Sequence, residues 1–134
     1  MQNHQILGLD VGQKRTGIAR GSSAARLAEP LMTVDTKDVF ETLKKLIVEL
    51  DVKTIVIGLP RNLNGQDTPQ TEWIRHWTEN AKTILGGTFY WQDEALTTET
   101  AKSGKPSSKG VDADAAAIIL QDFLNSAEEE RVKS

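Results

Sequence analysis

Five carboxylates lie where runs of regular sequence stop or start. Asp10 closes the apolar stretch HQILGLD, Asp93 and Glu94 follow TFYWQ, and Asp112 and Asp114 open an alanine-rich run. Acids brought together from three such places suit phosphodiester cleavage. That reaction needs an activated water, neutralised phosphate charge and a stabilised leaving oxygen, and two hard cations about 3.5 to 4 Å apart supply all three when carboxylates hold them. Magnesium takes octahedral oxygen ligation and keeps some of its waters, so a few acids suffice, and manganese suits the same ligands. The chain has no cysteine and only two histidines, so a metal here must be held mainly by oxygen.

Spacing narrows the choice. Neighbouring strand residues face opposite sides, so Asp93 and Glu94 divide into one ligand and one support. Asp112 and Asp114 differ in helical face, and Asp112 is nearer the helix start. Each acid also has a plainer reading. Asp112 serves equally well as an N-cap, Asp114 as a complement to the helix dipole, and Asp93-Glu94 as solvated loop acids. That reading is weakest for Asp10: flanked by Leu9 and Val11, it costs desolvation unless it has a partner or a metal. His4 and His76 read as structural or exposed. Trp73 and Trp77 share a helical stripe, which favours core packing over base stacking, and Trp91 fits either role.

The elements that must position these acids follow from periodicity. Residues 4–10 and 16–20 read as strands of a hairpin with Gly12, Gln13, Lys14 and Arg15 at its tip, and residues 28–34 as a third strand in which Pro30 suits an edge. Val39, Phe40, Leu43, Leu46, Ile47 and Leu50 recur at helical spacing over 38–50. KTIVIG (53–58) is the continuous apolar run of a central strand covered on both faces. LPRNLNGQ (59–66) is a loop. Thr68 as cap and Pro69 at the first position open a helix whose face is Trp73, Trp77, Ala81 and Ile84, ended by Gly86-Gly87. TFYWQ (88–92) is a strand, 97–102 a short helix, 103–110 a loop, and 112–125 a last helix with Ala116, Ile119, Leu120 and Phe123 inward. The sum is an α/β fold with a mixed sheet flanked by helices, three antiparallel strands first and then strands alternating with helices. Ligands of open α/β sheets gather at the carboxyl ends of the strands, where these acids fall.

At 134 residues the chain is expected to form a single domain over 1–125, with 126–134 a flexible carboxy-terminal tail that lacks an apolar stripe. No apolar run is long enough to span a membrane, and the polar start lacks the order of a secretory signal, so a soluble, cytoplasmic protein is expected. A net charge of -3 excludes a protein that coats nucleic acid over its whole surface. Positive charge is local, with Lys14, Arg15, Arg20, Arg26 and Arg61 in the amino-terminal half and Glu128-Glu129-Glu130 near the other end.

Four segments taken in order, LGLDVGQKRTGIA (7–19), IVIGLPRNLNG (55–65), QDEALTTETA (92–101) and VDADAAAIIL (111–120), resemble the YqgF/RuvX family of ribonuclease H-like proteins. Members are described as Holliday junction resolvases and as nucleases for the 5′ end of pre-16S ribosomal RNA. The resemblance covers about residues 5 to 125 and implies a ribonuclease H-like fold. It implies Asp10, Glu94 and Asp112 as the metal-binding catalytic set for Mg²⁺ or Mn²⁺, with Asp93 the neighbour in an Asp-Glu pair and Asp114 in support. It matches Lys14 and Arg15 to a basic hairpin tip, and Asn62 with Gly65 to the loop after the central strand. These, with Arg61, are expected to contact phosphate or sugar.

Two departures bear on substrate grip: Ala95 stands where the family commonly has arginine, and the 103–110 loop is short, with only Lys105 and Lys109 basic. The implied substrate is pre-ribosomal RNA, with ribosomal particles as possible partners, or branched DNA. A monomer serves the first, whereas junction cleavage calls for a symmetric homodimer. Two other classes compete. Asp10-Val11-Gly12 followed by Lys14 is similar to the phosphate hairpin of actin-like and sugar-kinase ATPases, but those bind nucleotide between two such domains. An RNA-binding or assembly module with decayed catalysis is the non-enzymatic reading, against which the full set of acids counts.

Overall fold

A computed structural model describes residues 4–94, 107–126 and 131–134. Strands β1 (Gln5–Val11), β2 (Arg15–Ser22) and β3 (Ala28–Asp35) are followed by helix α1 (Val39–Leu50), strand β4 (Val52–Leu59), helix α2 (Pro69–Leu85), strand β5 (Thr88–Asp93), helix α3 (Val111–Asn125) and a short strand β6 (Val132–Lys133). The six strands form one sheet in the order β3-β2-β1-β4-β5-β6. β1 pairs antiparallel with β2 and parallel with β4, and β4 pairs parallel with β5. The carboxyl ends of β1, β4 and β5 therefore share one edge.

Alternation along the strands separates two cores. Leu7, Leu9, Val11, Ile18, Ile55 and Ile57 point to one face, where α1 brings Val39, Leu43 and Leu46 and α2 brings Ile74, Trp77 and Ala81. Phe40 stacks on Trp77 across the two helices, with centroids 5.3 Å apart. Ile6, Ala19 and Val56 point to the other face, under Ala116, Ile119, Leu120 and Phe123 of α3. β4 contributes to both cores, as its continuous apolar run requires. Pro30 sits on edge strand β3 opposite a register shift between Ile18 and Ala19, where its missing N–H is tolerated.

Thr68 caps α2 through a reciprocal bond set with Thr71, and Pro69 occupies the first turn. Two expectations are corrected. Ile84 does not belong to the buried face of α2: it is 45% exposed, and Thr71, Ile74 and Thr78 complete that face instead. The expected tail is not wholly unpaired. Val132–Lys133 adds an antiparallel strand to the otherwise open edge of β5, Ser134 N–H donates to the Phe89 carbonyl, and Arg131 lies over the Phe123 ring. An open edge offers backbone groups to any strand able to reach them. Ala95, the helix expected over 97–102 and residues 103–106 of the expected loop lie outside the described residues.

Candidate active site

Asp10 is the last β1 residue whose side chain points to the α3 face, and its register partner across the hairpin is Gly17. That glycine decides how near α3 can come. A Cβ at Gly17 would run into the backbone carbonyl of Asp112, so only a bare Cα lets the first turn of α3 seat against β2 beside Asp10. Gly58, near the end of β4, plays the matching part for Glu94: a Cβ there would lie 2.5 Å from Glu94 Oε1 and 2.6 Å from Ile119 Cδ1. Glu94 follows β5 and is tied by its own N–H to the Leu59 carbonyl at 3.2 Å.

The result is a direct hydrogen bond between the side chains of Asp10 and Glu94. Both are half-buried. Burial is the main cause that pushes Glu94 up from an ordinary 4.5 to about 8, and the Asp10 charge, the shared hydrogen bond and the nearby Asp93 charge add to it. Asp10 is also raised, first by burial, against the lowering effect of the Glu94 hydrogen bond, with the Asp112 charge raising it further. The pair thus holds a proton where a cation would relieve the same repulsion.

Asp112 acts on Asp10 through its charge, but its own carboxylate turns to Arg15, whose Nε–H donates to Oδ2 at 3.1 Å. Among the described residues no three acidic or imidazole side chains form a closed metal cage. The structure brings Asp10 and Glu94 together and leaves Asp112 at their margin. The donor set is all oxygen and suits a hard divalent cation. Asp112 is not an N-cap: α3 is capped at Gly110 without a side-chain bond, and Thr33 Oγ1 of β3 accepts from the Ala113 N–H at 3.2 Å.

The remaining expected site residues divide by partner. Asp93 is engaged by Arg61 Nη2, and its charge still bears on Glu94. Asp114 holds Ser107 through that residue's N–H and hydroxyl, anchoring the residues that lead into α3. The Asn62 side-chain carbonyl accepts from the N–H groups of Asn64, at 3.0 Å, and Gln66, at 2.9 Å, so it shapes its own loop. Gly65 supplies the positive φ of 75° that this turn needs. Lys14 and Arg15 stand exposed at the hairpin tip, which is braced by Thr36, whose hydroxyl donates to the Gly12 carbonyl at 2.7 Å. Gly17, Gly58 and Thr33 were missed as site-building residues, although a glycine inside a strand signals close approach.

A family model described as RuvX, Holliday junction resolvase, matches residues 4–126. This chain belongs to the RuvX family. A protein of Chloroflexus aggregans named "Putative pre-16S rRNA nuclease" is 33% identical over 136 residues, covering 93% of this chain and 96% of the relative. One of the same name from Bacillus thuringiensis (strain Al Hakam) is 34% identical over 135 residues, covering 91% and 98%. Among solved structures, Thermus thermophilus RuvC in complex with Holliday junction substrate superposes with a TM-score of 0.60 at 11% identity, covering 98% of this chain and 99% of that one. A second Thermus thermophilus RuvC structure gives 0.61 at 13%, covering 97% and 99%. These likenesses show the ribonuclease H-like fold. RuvX family membership, together with relatives bearing a nuclease name, places the chain among phosphodiester hydrolases, and such a family implies a divalent metal.

Proposed function

We propose that this chain is a metal-dependent endonuclease acting on structured nucleic acid, and that it processes the 5′ end of pre-16S ribosomal RNA in the cytoplasm. The observation that carries this reading is the hydrogen-bonded Asp10–Glu94 pair at the carboxyl edge of the sheet, in a chain whose curated relatives bear the pre-16S nuclease name over nearly their full length. Magnesium or manganese would be held by Asp10, Glu94 and Asp112, and when bound it supplies a nucleophilic water and charge neutralisation at the phosphate. The chain's own residues do the positioning. Arg61 holds Asp93 by an ion pair while its neighbour Glu94 meets Asp10. Lys14 and Arg15 offer positive charge to a phosphate at the hairpin tip, and Asp112 is within reach of Arg15 as that side chain is drawn to substrate. Arg61 and Asn62 add a rim beyond β4, with Asn62 acting through the loop it folds.

Holliday junction cleavage is the second reading, favoured by the family model's description and by the RuvC likeness. It requires two copies presenting two sites, whereas RNA processing on ribosomal particles proceeds with a monomer. Both readings are tested by incubating wild type and Asp10→Asn, with Mg²⁺, Mn²⁺ or EDTA, on a labelled pre-16S RNA fragment and on a synthetic four-way DNA junction. Metal-dependent RNA cutting that falls on the order of 10³-fold in the mutant is expected. Cutting of the junction alone selects resolution, and no cutting of either by folded protein removes the nuclease reading.

A further inference from the structure

The two tryptophans of α2 have different surroundings. Trp77 is 8% exposed and stacks on Phe40. Trp73, one helical turn earlier, is only half-buried: part of it packs on the core, and it also lines a cavity of about 460 Å³ with Val11, Gly12, Gln13, Pro69 and Gln70. Building on the nuclease reading, we propose that this cavity receives an unpaired nucleobase of the strand being cut, stacked on Trp73.

Location supports this first. Val11, Gly12 and Gln13 follow Asp10 directly, so the cavity lining begins one residue, roughly 3 Å along the chain, beyond Asp10. Val11 points to the face opposite Asp10, so the cavity opens on the α2 side of the sheet edge while the acids lie on the α3 side. A strand whose phosphate rests at the acids and which crosses the hairpin tip arrives there after a short step. Lys14, exposed at that tip, meets the backbone on the way.

Chemistry supports it second. An indole face is a general platform for a nucleobase, since every base has a π-face. The side-chain amides of Gln13 and Gln70, both exposed, each carry donors and an acceptor for a base edge. Among the described residues no acid lines the cavity, which suits the approach of a phosphate. A paired base has its edge and both faces occupied and is excluded, which makes single-stranded RNA next to the cut the preferred occupant.

The test is an abasic scan. A single-stranded pre-16S RNA fragment is prepared with one abasic nucleotide at successive positions around the cut. Binding to the full chain is measured in EDTA by anisotropy, and cleavage is measured separately in Mg²⁺. Wild type is expected to lose about tenfold in binding at one position beside the cut and to be indifferent elsewhere, as expected of a single stacked base. Trp73→Leu is expected to lose the same tenfold on intact RNA and to show no further loss at that position, with KM raised and kcat nearly unchanged. Trp73→Phe keeps an aromatic face and is expected to restore most of the binding, and a folding defect in the leucine variant would lower binding but leave the sensitivity at that position intact. No sensitive position in wild type, or unchanged sensitivity in Trp73→Leu, overturns the proposal. Because binding is read without metal, a chain that binds in this pattern yet cuts nothing refutes the nuclease reading alone.

Discussion

The two faces of the sheet are built on opposite principles. On the α1 and α2 face, large aliphatic side chains interdigitate, with Leu7, Leu9, Leu43, Ile57 and Ile74 all essentially sealed from solvent. On the α3 face, glycines at 8, 17 and 58 take the place of side chains, and the helix rests directly on the strands. Bulk on the first face supplies most of the hydrophobic stabilisation. Absence of bulk on the second lets Asp112, Asp10 and Glu94 approach one another. If this division is right, substitutions on the two faces should damage different things.

The largest effect is expected from Gly17→Ala. The new methyl meets backbone of α3, which no rotamer change can move aside, so the helix must lift. A loss of roughly 3 kcal/mol, the upper end for overpacking, together with loss of cleavage, is expected from urea denaturation and activity measured side by side. Normal stability in this variant would show that α3 is not held by that contact.

Gly58→Ala sharpens the contrast, because its methyl meets the far ends of flexible side chains, the Glu94 carboxylate and Ile119 Cδ1. Those can turn away at small cost in stability, but Glu94 then leaves Asp10. Cleavage is expected to fall about 10²-fold, the cost of misplacing a reacting group by about an ångström, with stability within about 1 kcal/mol of wild type. Leu43→Ala, on the other face, is the reverse case: about 3 kcal/mol of stability lost to a cavity, with kcat unchanged at a temperature where the protein remains folded. Equal kinetic damage in the two variants would erase the distinction between the faces.

Much of this architecture is legible before the structure. Apolar spacing predicts α1 and α3, the Thr68-Pro69 start predicts α2, and the run at 53–58 predicts a central strand, because each rests on local periodicity or capping. Ile84 misleads because the face of α2 is set by where β4 and α1 lie, and Thr71 and Thr78 take inward positions that hydrophobicity alone assigns elsewhere. The pairing of Val132–Lys133 with β5 depends on an open sheet edge far away in sequence. The acids are legible as candidates, but their partners are not. Spacing does not reveal that Arg15 reaches Asp112 across 97 residues or that Arg61 takes Asp93, since these contacts follow from which strands become neighbours.

The smallest expected effect concerns the acids themselves and carries a definite sign. In the metal-free protein Glu94 keeps its proton up to about 8, chiefly through burial, whereas an unfolded chain releases it near 4.5. Between those values the unfolded state alone gains the charge. Stability contributed by this group is therefore full below about 4.5 and declines as pH rises toward 8, beyond which it levels off. Asp10, also raised, pulls in the same direction. Melting in EDTA should come a few degrees lower at pH 8 than at pH 6, at roughly 3 °C per kcal/mol for a domain of this size. Glu94→Gln should flatten that dependence and raise the melting temperature at pH 8, and because Asp122, raised by burial, is present in both proteins, the difference between them isolates the coupled Asp10–Glu94 pair. Millimolar Mg²⁺ should stabilise wild type more at pH 8 than at pH 6, because the cation and the proton compete for the same oxygens, and should do much less for the glutamine variant. A pH dependence that survives Glu94→Gln would place the site's charge elsewhere and break the link between the glycine-lined face and the chemistry assigned to it.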